Sequence, residues 1–144
     1  MLIREFRPRR WILGRLEAGR DLLQGLLDLA EEQEVRVGAF TLLGALTQAR
    51  LGFYDQKKKS YRTLELDRHL EISCGVGNVS LRDGRPAVHC HLVVSGEDGE
   101  CWGGHLLEGT VVFACEFALA DLEGEPLERR LDPDQGLALW PLPG

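Results

Sequence analysis

Three of the four histidines in this chain are spaced as ligands of one metal ion would be. His89 and His91 lie in a run typical of a β-strand, and residues two apart on a strand point to the same face. A hairpin or a short loop would bring His105, which follows two glycines, to the same place. Three neutral imidazoles around one point suit zinc and leave its fourth coordination position open. The spacing therefore predicts a zinc site at His89, His91 and His105.

The histidine pair alternates with a set of apolar residues, Val88, Cys90, Leu92 and Val94. These side chains would fill a core on the opposite face of the strand, so the histidine face is a distinct surface. Cys90 then points away from the histidines, which argues against a mixed cysteine and histidine site. A simpler interpretation stays open, because a His-x-His pair is often only the polar face of a strand.

Carboxylates near the histidines are the candidate catalytic groups. Zinc with an open position lowers the pKa of its bound water to about 7 and can polarise a carbonyl. Glu108, three residues after His105, is the nearest candidate for a general base or for orienting an imidazole. Glu71 and Glu116 are weaker candidates, and each carboxylate is otherwise a solvated surface group. Asn78 either forms a hydrogen bond near the site or holds a turn.

Length and composition favour one soluble domain over residues 1–144, with an apolar fraction of 44% and a charged fraction of 28%. No apolar run reaches the roughly 18 residues of a membrane span, and no apolar stretch follows the basic N-terminus as in a signal peptide. The four cysteines lack Cys-x-x-Cys spacing and are expected to be buried, reduced thiols. These features predict a cytoplasmic protein.

The net charge of −6 bears on the choice of partner. It provides no general attraction to the phosphate backbone of a nucleic acid. Residues 4–10 and 57–59 form two basic clusters, but both are too short to overrule the acidic balance. DNA therefore remains a partner that the charge does not support.

The pattern of elements predicts an α+β fold. Residues 21–32 form the clearest helix, with one leucine-rich stripe and Asp21 favouring its first turn. Asp83 and Gly84 predict a hairpin turn. The predicted strands are residues 2–6, 11–16, 37–54, 61–66, 71–81, 86–94 and 110–122, with a turn at residues 7–10 and a last edge strand within residues 136–142. One helix on a mostly antiparallel sheet follows, and apolar residues on both strand faces predict oligomerisation.

An ordered set of motifs across about residues 10 to 139 resembles the plant-and-prokaryote conserved (PPC) domain, also called DUF296. The motifs are Leu43-Gly44-Ala45-Leu46, Leu51-Gly52-Phe53-Tyr54-Asp55, Leu70-Glu71-Ile72, Gly77-Asn78, Asp83-Gly84-Arg85-Pro86, His89-Cys90-His91, Gly103-Gly104-His105-Leu106 and Glu108-Gly109-Thr110-Val111. The set is specific because the motifs occur together and in order.

The resemblance implies an α+β fold around a central antiparallel sheet and a homotrimeric assembly. It also implies a bare, prokaryotic-type domain, for which DNA binding is assigned by analogy, and a metal held by His89, His91 and His105. Plant members carry an AT-hook with an Arg-Gly-Arg-Pro core, whereas Asp83 stands here in place of the first arginine. The chain therefore lacks the hook.

Two classes of function follow. The first is a trimeric PPC-domain protein with a DNA-associated or regulatory role and a three-histidine metal site. The second is a zinc-dependent hydrolase or lyase acting on a small molecule bound at the metal, or a metal or small-ligand sensor. The acidic charge weakens autonomous DNA binding, and no residue pattern demands an enzyme, so the first class is favoured without excluding the second.

Overall fold

A computed structural model describes residues 1–143 of the chain. In chain order, the elements are β1 (Arg7–Leu16), α1 (Leu22–Glu32), β2 (Gly38–Asp55), β3 (Ser60–Leu66), β4 (Leu70–Arg82), β5 (Arg85–Ser95), β6 (Cys101–Leu106), β7 (Val111–Glu123), β8 (Arg130–Asp132) and β9 (Leu137–Leu139). Mostly antiparallel strands and one short helix agree with the predicted fold class.

Seven strands form one antiparallel sheet in the order β1-β7-β2-β4-β5-β6, with β3 paired to β2. The long strand β2 also pairs with β6 through Leu51 and Gly52. Strands β2, β4, β5 and β6 therefore form a closed circuit, and the sheet curls upon itself. This closure brings the end of β6, which is far from β2 in the strand order, next to β2.

Helix α1 begins where the sequence predicts. The Asp21 side chain accepts a hydrogen bond from the Gln24 N–H at 2.9 Å, which satisfies a free donor of the first turn. Leu22, Leu26 and Ala30 share one helix face and are buried against the sheet. Their burial supplies the stability that an isolated helix of this length would lack.

The two ends of the chain differ from the prediction. Residues 2–6 form no strand, and the predicted turn at residues 7–10 lies inside the continuous strand β1. The cause is pairing with β7, in which a register shift between Pro8 and Arg10 accommodates the proline on an edge strand. Near the other end, β9 pairs with β8 in a separate two-stranded sheet and does not extend the main one.

One face of the main sheet is covered by α1, and the opposite, outer face remains exposed and largely apolar. Cross-strand pairing places six residues in one row across this face: Leu13, Ala118, Thr41, Val76, His91 and His105. The large apolar side chains exposed on this outer face are Trp11, Leu13, Leu43, Val76 and Val93. Each chain thus carries an uncovered apolar surface that is continuous with the histidines.

The cysteines agree with the prediction only in part. All four are free, and Cys90 and Cys115 are buried as expected, but Cys74 and Cys101 are exposed. Cys74 lies opposite Val93 on the outer face, beyond an irregularity in the pairing of β4 with β5. That irregularity shifts the alternation that the sequence pattern assumes.

No helix among residues 1–143 is long and apolar enough to cross a membrane.

Candidate metal centre

Strand pairing brings the three predicted histidines together. His91 on β5 lies directly opposite His105 on β6, and His89 lies two residues before His91 on the same face. One ligand atom from each imidazole lies within 4.8 Å of the other two. The ring centroids are 5.0 to 5.5 Å apart, with the rings inclined to one another. Three nitrogen ligands of this kind surround one point on the sheet surface.

Close approach of two glycines sets the position of His105. A Cβ on Gly104 would lie 2.8 Å from the carbonyl oxygen of Gly52, so only glycine lets β6 come this near to β2. Gly52 also leaves room for the Tyr61 ring, which a Cβ there would meet at 2.8 Å. Tyr61 stacks on His105 at 5.1 Å between centroids and fixes one side of the imidazole.

Burial favours the neutral form of two of the three imidazoles, those of His89 and His105. Loss of water lowers the pKa of His105 to about 4, and the neighbouring histidines add to the effect. The pKa of His89 is lowered for the same main reason, with further contributions from Arg129 and His91. Neutral imidazole is the form that binds a metal ion.

A buried atom without a partner tests whether a metal fits this centre. Nδ1 of His105 is buried and has no hydrogen-bond partner among the described residues. An unsatisfied buried nitrogen is costly, so native sites normally supply it with a partner. Three imidazole nitrogens are ligands that zinc and similar metal ions prefer. The residues of this centre therefore fit a metal ion.

Residues that are distant in sequence lie next to the histidine cluster. Asn78 on β4 lies opposite His89 and accepts a hydrogen bond from Arg129 at 2.8 Å. The Arg129 guanidinium lies 5.0 Å from the ring centroid of Trp140. The sequence analysis allowed a hydrogen bond from Asn78 but missed Arg129, Trp140 and Tyr61. No short spacing or motif links these residues to the histidines, so no local signal could have identified them.

The predicted carboxylates lie outside the cluster. Glu108 occupies the exposed turn after β6, and its backbone carbonyl accepts a hydrogen bond from Arg50 at 3.0 Å. Glu71 and Glu116 are exposed on β4 and β7. Among residues 1–143, the cluster that could hold a metal ion contains only the three histidines and no carboxylate. The arrangement can hold a cation with nitrogen ligands and leave one side of it accessible.

The chain matches a known protein family over most of its length. A family model for the Plants and Prokaryotes Conserved (PCC) domain matches residues 3–123. The chain belongs to this family, as the ordered motifs predicted. Over 124 residues it is also 36% identical to the bifunctional protein GlmU of Synechococcus sp. strain JA-2-3B'a(2-13). That match includes 85% of this chain and 18% of GlmU, so the chain spans less than a fifth of this curated relative.

Three solved structures show how similar the fold is. A protein from Archaeoglobus fulgidus described as metal-containing is 40% identical, with a TM-score of 0.93 over 99% of this chain and 100% of its own. A plant- and prokaryote-conserved protein from Pyrococcus horikoshii is 33% identical, with a TM-score of 0.93 over 100% and 99%. A candidate DNA-binding protein from Ralstonia eutropha JMP134 is 30% identical, with a TM-score of 0.80 over 91% and 90%.

Proposed function

We propose that this protein binds one zinc ion per chain through His89, His91 and His105. The observation that carries the proposal is the convergence of three imidazole nitrogens within 4.8 Å. Burial favours the neutral forms of His89 and His105, and the buried Nδ1 of His105 has no hydrogen-bond partner among the described residues. The similarity to a metal-containing protein at 40% identity adds support. Zinc is the metal of choice because three nitrogens and an open fourth position match its tetrahedral chemistry.

Elemental analysis of the untagged protein tests this proposal. We expect about one zinc per chain in the wild type and almost none in a His89→Ala, His91→Ala double variant. His69→Ala is the control, because His69 is exposed and stands outside the cluster. Unchanged zinc content in the double variant, or a wild type that cannot be loaded with zinc, would overturn the proposal.

The exposed outer face of the sheet suggests how the chains assemble. We propose that the chains assemble as a homotrimer and cover part of that face, since large exposed apolar side chains are costly in water. A regulatory role then rests on the assembled trimer and its metal site rather than on one chain. The mass of the protein in solution tests the assembly.

DNA association is a second candidate function, favoured by the similarity to the Ralstonia protein. The charges of this chain oppose it, because Arg9 and Arg10 in the basic N-terminal cluster already pair with the buried carboxylate of Asp121. Titration of a labelled DNA duplex at several salt concentrations tests the idea. Binding that weakens steeply with salt would support DNA association, and no binding at low salt would remove it.

A zinc-dependent hydrolase or lyase is the alternative, and Glu108 remains its proposed proton-transfer group. Zinc-dependent hydrolysis of 4-nitrophenyl acetate provides an assay. Glu108→Gln should lower the rate by about a hundredfold while zinc content stays unchanged, and Glu97→Gln in an exposed loop is the control. Equal rates in the two variants would remove Glu108 from the mechanism.

A further inference from the structure

Arg129 is held in a fixed position beside the histidine centre. Its backbone N–H donates to the carbonyl of Leu81 at 2.7 Å, which fastens the segment before β8 to the end of β4. Its Nε donates to Ser80 Oγ at 2.9 Å and its Nη2 to Asn78 Oδ1 at 2.8 Å. Its Nη1 donates to the carbonyl of Ala138 at 3.2 Å. The guanidinium is therefore oriented before any ligand arrives, and a guanidinium has five N–H donors, of which three are used here.

The partners of Arg129 are all neutral, which distinguishes it from comparable arginines. Of the arginines in residues 1–143, three are partly buried, namely Arg20, Arg50 and Arg129. Arg20 forms an ion pair with Asp28, and Arg50 forms one with Glu65 at 3.2 Å. No described carboxylate lies within ion-pair distance of Arg129. A charge that is partly removed from water is costly without an opposite charge nearby. We therefore expect Arg129 to bind an anion that is not part of this chain.

A groove of about 930 Å³ connects Arg129 with the metal centre. His89 lines it on the sheet side, and Trp140, Leu131 and Leu139 line it on the side of the β8–β9 hairpin. The wall thus combines one fixed cation and one metal-binding imidazole with an aromatic ring and aliphatic side chains. Such a wall matches a ligand with one anionic end and an apolar body.

The two acidic residues of the groove do not compensate Arg129. Asp132 and Asp134 lie at the turn of the β8–β9 hairpin, and the Asp132 carboxylate accepts the backbone N–H groups of Asp134 and Gln135, both at 2.9 Å. That carboxylate therefore holds the turn. Neither carboxylate lies within ion-pair distance of Arg129.

We propose that the groove binds a small organic carboxylate, held by the free N–H groups of Arg129 beside the metal bound to His89, His91 and His105. The inference rests on the proposed metal function and names the class of ligand for that same site. The planar guanidinium matches the two oxygens of a carboxylate, and the open position of the metal favours an oxygen anion. The apolar wall favours a carboxylate with an organic body over an inorganic anion.

Titration of benzoate into the cobalt-loaded protein tests the inference. Cobalt content is first measured by elemental analysis, and benzoate binding is then followed by the cobalt absorption spectrum and by tryptophan fluorescence. We expect saturable binding to the wild type. Arg129→Met should weaken it by about tenfold or more while cobalt content is unchanged, because a charge-assisted hydrogen bond is lost. Arg85→Met is the matched control, since Arg85 is exposed at the start of β5 and does not line the groove.

The outcomes separate this inference from the proposed metal function. Normal cobalt content with equal benzoate affinity in the two variants would overturn the role of Arg129 and leave the metal site intact. A wild type that can be loaded with neither cobalt nor zinc would overturn both. Tighter, Arg129-dependent binding of inorganic phosphate than of benzoate would overturn the assignment to organic carboxylates. If Arg129→Met fails to fold, Arg129→Lys keeps the charge but loses the planar fork, and affinity equal to the wild type would count against the proposal.

Discussion

His105 shows how burial at a single residue shapes the behaviour of the metal-free protein. Its pKa is about 4 in the folded chain, whereas an unperturbed histidine titrates near 6.5. Between these values the unfolded chain takes up a proton that the folded chain does not. The free energy of unfolding must therefore fall as the pH decreases from about 6.5 to about 4. Above about pH 6.5 the imidazole is neutral in both states, so this residue no longer makes the free energy of unfolding depend on pH.

A comparison of melting temperatures at pH 7 and pH 5, in the presence of a chelator, tests this effect. We expect the wild type to lose about 3 °C or more beyond the loss in His105→Gln, because the variant has no imidazole to protonate on unfolding. His69→Gln controls for the removal of an exposed histidine. An equal loss in wild type and His105→Gln would show that burial of His105 does not contribute to acid sensitivity.

At the scale of elements, the contact between β6 and β2 positions the third histidine. A Cβ on Gly104 would meet the carbonyl oxygen of Gly52 at 2.8 Å, and backbone cannot yield as a flexible side chain can. The strand must therefore move when this glycine is replaced. His105, the next residue, would move with it.

Gly104→Ala should accordingly weaken zinc binding by about tenfold or more, although no ligand atom is changed. Competition with a chromophoric chelator measures the affinity. Gly103→Ala is the matched control, because the nearest atom to a Cβ there lies at 3.3 Å and the residue is exposed. Equal zinc affinity in the two alanine variants would mean that β6 can shift without disturbing the site.

The outer face is the main feature at the scale of the whole molecule. Leu13 is 74% exposed in the isolated chain and lies in the same cross-strand row as His91 and His105. If trimer assembly covers this face, a charge at Leu13 must be desolvated on assembly, which is costly without a partner.

Light scattering of Leu13→Asp tests the assembly. We expect the wild type at about three times the chain mass of 16.1 kDa and the variant shifted towards a single chain. Leu131→Asp is the control, since Leu131 is 69% exposed on the separate β8–β9 hairpin. A wild type of single-chain mass would contradict the trimer, and equal masses for the two variants would place its interface elsewhere.

Local patterns in the sequence were enough to predict most elements and the three histidines of the site. Alternation along β5 separates Cys90 and Leu92 from the histidines because successive strand residues point to opposite faces. The 3.6-residue period and the Asp21 cap identify α1 for the same kind of reason, since both depend on residues within one or two turns. The sequence identified His105 as a candidate ligand, but the spacing could not predict that it pairs directly with His91.

Tertiary structure decided what depends on pairing between distant segments. The continuous β1 exists because β7 pairs along it, with Asp121 accepting a hydrogen bond from Arg10 at 2.9 Å across more than a hundred residues of sequence. Arg129 lies far beyond the histidines in sequence and reaches Asn78 only because the segment after β7 crosses the end of β4. Sequence by itself therefore determined the residue types of the candidate site and the faces of the strands, which are local properties. The closed sheet circuit, the exposed outer face and the uncompensated arginine beside the histidines required the folded chain, because each is set by contacts that no local pattern encodes.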